Sequence, residues 1–172
     1  NPELKIVLST TTTTGQQLAQ DKSPPQVAVI FCPIDFIFFV CRVFMLIRPS
    51  KLVVLETEIW PNMLNMAAKY CNALFLVNAR MSDKSVRGYC RARIFFRPML
   101  RLFTQICVQS EHDRERFATV CPEAKLLVTG NMKFDRAVPA NVPDIDFSEY
   151  FGEGKWRVIL ASCTHPGEEW LI

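Results

Sequence analysis

The 172-residue chain is 49% hydrophobic and 22% charged, with thirteen Phe and three Trp, which excludes a disordered tail and supplies the large side chains of a packed core. Six Gly and eleven Pro exclude collagen-like and low-complexity polymers, and a net charge of +3 is too small to argue for a nucleic-acid partner. Seven Cys without a CxxC pair, beside two His, point to free thiols in a reducing compartment rather than to a zinc site or a disulfide framework.

Taken in order, the chain predicts a strand at 4–8, a hydroxyl-rich loop from Ser9 to Thr14 and a helix at 15–20, then a strand at 27–31 and a helix at 36–47. The loop can bind an anion or cap the helix, and capping is the use that Ser and Thr favour. Residues 27–47 are mostly apolar, but Pro33, Asp35 and Arg42 interrupt them where a bilayer span needs about 20 apolar residues. They read as strand, turn and buried helix.

Strands follow at 52–55, 73–77, 106–108, 126–128 and 157–161, with helices at 61–70, 83–95 and 111–120. This alternation predicts the α/β class, a Rossmann-like parallel sheet with helices on both faces. Pro61 suits a first helical turn, and Ser82 and Ser110 can cap the helices after them. The polar stretch with Pro139 and Pro143 reads as a linker. The expected organisation is an N-terminal domain over 1–135, a linker over 136–156 and the beginning of a second α/β domain over 157–172. The opening at Asn1, with neither Met nor a signal segment, reads as a cut, so the first domain is expected to be incomplete at its start.

In an open parallel sheet, residues just past the carboxyl ends of strands face the ligand crevice. Glu56 and Glu58 follow one strand and share a face if the chain stays extended; Glu58 can instead cap the helix entering at Pro61. Asn78-Ala79-Arg80-Met81-Ser82 follows the next, where Arg80 suits bidentate capture of a carboxylate or phosphate, or pairing with an acid such as Glu58. Lys133, in the run Gly130 to Asp135, is either a cation able to stabilise developing negative charge or a surface lysine. His165, in a loop after 157–161, could meet a phosphate or move a proton.

From Arg80 to Arg101 seven basic residues stand against one acid, Asp83. At helical spacing Lys84, Arg87 and Arg91 form one stripe, and Val86, Tyr89, Cys90 and Ile94 another. The basic stripe is either a solvated face or an attractor for an anionic membrane or phosphorylated lipid, worth about 1 kcal/mol per basic residue near such a surface. No nucleic-acid recognition motif accompanies it.

Four runs, in their order and spacing, resemble the motifs of the bacterial 3-deoxy-D-manno-octulosonic acid (Kdo) transferase family: Glu56-Thr57-Glu58-Ile59-Trp60-Pro61-Asn62, Asn78-Ala79-Arg80-Met81-Ser82, Gly130-Asn131-Met132-Lys133-Phe134-Asp135 and Thr164-His165-Pro166-Gly167-Glu168-Glu169. Ser9 to Gly15 is similar to the family's Thr-rich loop. The resemblance implies a GT-B glycosyltransferase, with 1–135 as the acceptor-side domain and 157–172 as the first strand of the nucleotide-sugar-binding domain. It implies transfer of Kdo from CMP-Kdo to the lipid A precursor, lipid IVA, with inversion and with neither metal nor other cofactor. The implied place is lipopolysaccharide synthesis at the cytoplasmic face of the bacterial inner membrane, against an anionic surface and with no nucleic-acid partner.

By the same resemblance Glu56 and Lys133 match transition-state stabilisers, Arg80 and Glu58 are substrate-binding, and Thr164 and His165 line the donor side of the cleft. The family's general base, a Glu in an earlier loop, has no counterpart here, and the remaining donor domain with the family's CMP-binding loops is absent, so the chain alone is expected to be inactive. Cys163 stands where the family usually has Ser, and Pro166 where it often has Glu. The competing reading is a non-catalytic α/β module that binds anionic lipid or a partner through the basic 80–101 face.

Overall fold

The computed structural model describes residues 4–135. The expected linker, the strand at 157–161, Thr164 and His165 lie outside the described residues. Strands and helices alternate as β1 (Ile6–Thr10), α1 (Thr13–Lys22), β2 (Val27–Phe31), α2 (Ile37–Ile47), β3 (Lys51–Leu55), α3 (Pro61–Tyr70), β4 (Ala73–Ala79), α4 (Asp83–Arg91), α5 (Arg93–Arg101), β5 (Gln105–Val108), α6 (Glu111–Val120) and β6 (Leu126–Val128). A 3-10 helix at Met132–Asp135 follows.

The class is α/β, with parallel sheets flanked by helices. β1 pairs with β2, while β3, β4, β5 and β6 form a second sheet in sequence order. Each step in the larger sheet moves to the next strand in one direction, so right-handed crossovers carry α3, α4, α5 and α6 over the same face. There Val54, Leu74, Leu76, Ile106 and Val108 are buried with Leu64, Leu100 and Phe117 of the helices. Each large side chain so buried is worth about 1.5–3 kcal/mol over leaving it exposed. Alternate strand residues point the other way, and Val53, Leu55 and Leu127 are exposed. The arrangement is the expected Rossmann-like one, parallel strands flanked by helices.

The helix starts explain themselves chemically. Pro61 opens α3, Ser82 Oγ accepts from Ser85 N at 3.2 Å, and Ser110 Oγ accepts from Asp113 N at 3.1 Å. The hydroxyl-rich loop serves as a cap: Thr12 Oγ1 accepts from Gly15 N at 3.1 Å. A Cβ on Gly15 would stand 2.9 Å from that oxygen, so glycine is what the turn accommodates. β1 runs over Ile6–Thr10 rather than 4–8: its pairing with β2 starts at Ile6 with Val27, and Ser9 and Thr10 still pair with Ile30 and Phe31.

Two helical expectations change. The basic helix at 83–95 is two helices, since the chain turns at Ala92 (φ −99, ψ 31). Val86, Tyr89 and Cys90 pack on the core as expected, but the turn swings Ile94 out to 96% exposure. The α2 helix is buried only along Val40 and Phe44; Phe38 is 73% and Leu46 74% exposed, with Arg42 and Arg48 exposed beside them. Among the described residues no helix is long and apolar enough to cross a membrane. The 11 residues of α2 rise about 16 Å, half a hydrocarbon core.

Candidate functional site

All four strands of the larger sheet run the same way, so the loops after β3, β4, β5 and β6 lie at one end. Glu56 continues the β3 ladder by donating its N–H to Val77 O at 2.9 Å, then leaves it with φ +60. Asn78, one residue before the end of β4, has φ +57. Side-chain-bearing residues held in this left-handed region each cost about 1–3 kcal/mol and mark places where surrounding bonds fix the backbone. Glu56 to Glu58 is therefore not extended, and the two carboxylates do not share a face by strand alternation.

The fixing bonds are side chain to backbone. Thr57 Oγ1 accepts from Arg80 N at 3.2 Å and donates to Arg80 O at 2.5 Å, which joins the loops after β3 and β4. The buried carboxylate of Asp113, in the first turn of α6, accepts from Met81 N at 2.9 Å and from Ser110 Oγ at 2.6 Å. Arg116 adds a bond from Nη1 to Met81 O at 2.7 Å and one from Nη2 to Asp83 Oδ1 at 2.6 Å. Every backbone polar group of the Arg80–Met81 turn thus has a partner, as a buried turn requires.

These loops surround an open cavity of about 600 Å³ lined by Glu56, Glu58, Arg80, Ser82, Gln109 and Arg116, among others. Glu58 accepts from Trp60 Nε1 at 2.9 Å. It does not cap α3, because Asp35 does so from across the chain: its Oδ2 accepts from Asn62 N at 3.1 Å and its Oδ1 from Met63 N at 2.8 Å. Nor does Glu58 pair with Arg80, whose exposed guanidinium meets no hydrogen-bond acceptor among the described residues. With Asp113 and Arg116 of its lining tied to Met81 and Asp83, the cavity offers the Arg80 guanidinium and the Glu56 and Glu58 carboxylates to a ligand, a combination suited to an anionic group beside a centre that gains positive charge.

Burial pushes the thiol of Cys32 up; its hydrogen bond with Ser9 pulls the other way, and the carboxylates of Asp35 and Glu58 push it further. Tyr89 is pushed up by burial and then by Glu58. Both groups stay neutral at pH 7. Among the described residues no three His, Cys, Asp or Glu side chains stand close enough together to hold a metal ion.

The structure brings Glu56, Glu58 and Arg80 to one cavity. Lys133 does not line it. It sits exposed in the 3-10 helix, where its N–H donates to Asn131 Oδ1 at 3.0 Å, while Met132 N donates to Asn78 Oδ1 at 3.2 Å. Thr57, Asn78, Gln109 and Asp113 organise the loops without having been singled out by sequence; Thr57 and Asn78 lay inside the quoted motifs, and Asp113 lies three residues after the Ser110 cap, in the first turn of α6.

A family model described as "3-Deoxy-D-manno-octulosonic-acid transferase (kdotransferase)" matches residues 1–136. The chain is similar to proteins named 3-deoxy-D-manno-octulosonic acid transferase from Rickettsia bellii, 34% identical over 99% of the chain and 40% of that protein, and from Rickettsia conorii, 31% over 99% and 36%. A protein of the same name from Haemophilus influenzae is 28% identical over 99% of the chain and 40% of its own length. The chain spans about two fifths of the length of these relatives.

Proposed function

Because the chain belongs to the 3-deoxy-D-manno-octulosonic-acid transferase family, we propose that the whole protein is a glycosyltransferase that moves Kdo from CMP-Kdo to the lipid A precursor, lipid IVA, with inversion at the anomeric carbon. The observation that carries this reading is the meeting of Glu56, Glu58 and Arg80 around one cavity at the carboxyl ends of β3 and β4. In this reading 1–135 is the acceptor-side domain, 136–156 the linker and 157–172 the start of the donor domain, with Thr164 and His165 toward CMP-Kdo.

The chemistry follows from charge. As the bond from the anomeric carbon to the CMP phosphate breaks, positive charge grows on the sugar and negative charge on the phosphate; the acceptor hydroxyl attacks from the opposite face and gives up its proton to a base. Glu56 stabilises the first charge and Lys133 the second, while Arg80 and Glu58 hold the substrate's acidic and hydroxyl groups. No metal or other cofactor takes part, and transfer is expected to survive EDTA. The site of action is the cytoplasmic face of the inner membrane. There the exposed apolar face of α2, with Arg42 and Arg48, and the stripe of Lys84, Arg87 and Arg91 meet anionic lipid, in line with the physics of interfacial helices.

The test is transfer of Kdo from CMP-Kdo to lipid IVA by the whole protein, read by mass spectrometry. The second reading, a non-catalytic α/β module that binds anionic lipid or a partner through the basic 80–101 face, draws on the exposed Lys84, Arg87 and Arg91. It wins if the whole protein binds anionic vesicles in a salt-sensitive way but transfers no sugar.

A further inference from the structure

Asn78 combines features that a strand residue rarely shares. It is buried, its backbone is left-handed (φ +57), and the register between β4 and β5 shifts between Leu76 and Ala79, around it. Strand alternation is broken there, so Asn78 and Ala79 are both buried. Its carbonyl accepts from Gln109 Nε2 at 2.9 Å, in the loop after β5. Its side-chain Oδ1 reaches past β5 to the loop after β6 and accepts from Met132 N at 3.2 Å. Two strand spacings in a sheet are roughly 9–10 Å, which is why the bond forms to a loop that folds back.

Gly130 supplies that fold with φ +83. The fold is closed locally by Asn131, whose Oδ1 accepts from Lys133 N and whose carbonyl accepts from Phe134 N, each at 3.0 Å. The local bonds shape the turn; the bond to Asn78 fixes it to the sheet. Among the described residues it is the side-chain hydrogen bond that joins the Arg80 motif to the Lys133 motif. Asparagine suits both tasks, since it tolerates the left-handed region and its amide oxygen accepts one N–H.

We infer that Asn78 is a positioning residue, whose side chain holds the Met132–Lys133 backbone and so sets where the Lys133 ammonium stands relative to the cavity of Glu56 and Arg80. This rests on the reading that Lys133 acts on the substrate. Its consequence is that the loops after β3, β4 and β6 behave as one unit.

The experiment uses the whole protein. Asn78→Gly keeps the left-handed backbone and removes the acceptor, whereas Asn78→Asp keeps both. Hydrogen exchange at the Met132 amide and Kdo transfer are measured for each, alone and with Lys133→Ala. Asn78→Gly is expected to speed exchange at Met132 and lower kcat about tenfold with a smaller change in KM; Asn78→Asp recovers both to within about threefold. With Lys133→Ala already present, Asn78→Gly should cost less than about twofold more, because the group it positions is gone. A full tenfold further loss in that background overturns the inference, as does wild-type kcat in Asn78→Gly while Lys133→Ala is impaired. Undiminished transfer by Lys133→Ala overturns the underlying reading of the site, and this inference with it.

Discussion

Two regions of this molecule are held by different forces. At the carboxyl end of the larger sheet, Thr57, Asn78, Asp113 and Arg116 each bond to the backbone of another loop, and left-handed residues sit at Glu56 and Asn78. Around α2, attachment is a narrow apolar stripe at Val40 and Phe44 with the Cys41 thiol 3.6 Å from the Met66 sulfur, and the remaining apolar surface faces outward. Directional bonds give the first region a fixed geometry. Non-directional packing leaves the second a surface that can be shared with something else.

The comparison is broken most severely by removing a charge from the pinned region. Lys133→Ala in the whole protein is expected to lower kcat by about 10²–10³, the range for losing one preorganised electrostatic stabiliser, with little change in melting temperature. Steady-state transfer kinetics beside a thermal melt check this.

Next comes the pinning itself. Asp113→Ala removes the acceptor for Met81 N and for the Ser110 hydroxyl and leaves Arg116 beside an empty place, so a stability loss of about 2–3 kcal/mol is expected in urea unfolding. Thr57→Val keeps the shape and removes one hydroxyl, for about 1 kcal/mol, with a larger loss in transfer rate than in stability.

The α2 surface should respond the opposite way. Phe38→Ser with Leu46→Ser is expected to leave stability within about 0.5 kcal/mol, since both side chains are exposed. Binding to anionic vesicles should fall at least about tenfold, because each large apolar side chain buried in lipid is worth about 1.5–3 kcal/mol. A stability loss without a binding loss would make α2 a packing element.

The smallest effect is at Cys32, next to both regions. Its thiol is raised above the ordinary cysteine value in the folded chain, chiefly by burial and then, against the Ser9 hydrogen bond, by Asp35 and Glu58. The fold favours the protonated form, so this contribution is fully present below the unfolded thiol's value and is lost as pH rises through the folded one. Alkylation by iodoacetamide at mildly alkaline pH should be slower at Cys32 than in urea-unfolded protein, and Glu58→Gln should narrow the difference.

Much of the fold was legible in the sequence because the signals were local. Val27–Phe31, Pro61–Tyr70, Glu111–Val120 and Leu126–Val128 lie where apolar runs, Pro61 and the Ser110 cap predicted them. The turn at Ala92 was not legible, since an amphipathic pattern runs through it and the break depends on what Tyr89 and Phe96, stacked at 4.1 Å, pack against. Asp35 looked like an interruption of an apolar segment; its role as the cap of α3 appears only when residues far apart in sequence meet. The same holds for the site. Glu56, Glu58 and Arg80 were legible by their place after strands, but Glu56 in a left-handed turn, the Thr57 clamp on Arg80 and the reach of Asn78 to Met132 depend on which loops the sheet brings together.

The most direct measurement is Kdo transfer from CMP-Kdo to lipid IVA by the whole protein and by its Glu56→Gln variant, which keeps the side chain's size and removes its charge. The wild-type protein is expected to form the Kdo-lipid product, and the variant, equally folded and equally bound to vesicles, to form it at least about a hundredfold more slowly. Wild-type protein that binds vesicles but makes no product, or a variant within tenfold of wild type, would contradict the assignment of this cavity to sugar transfer.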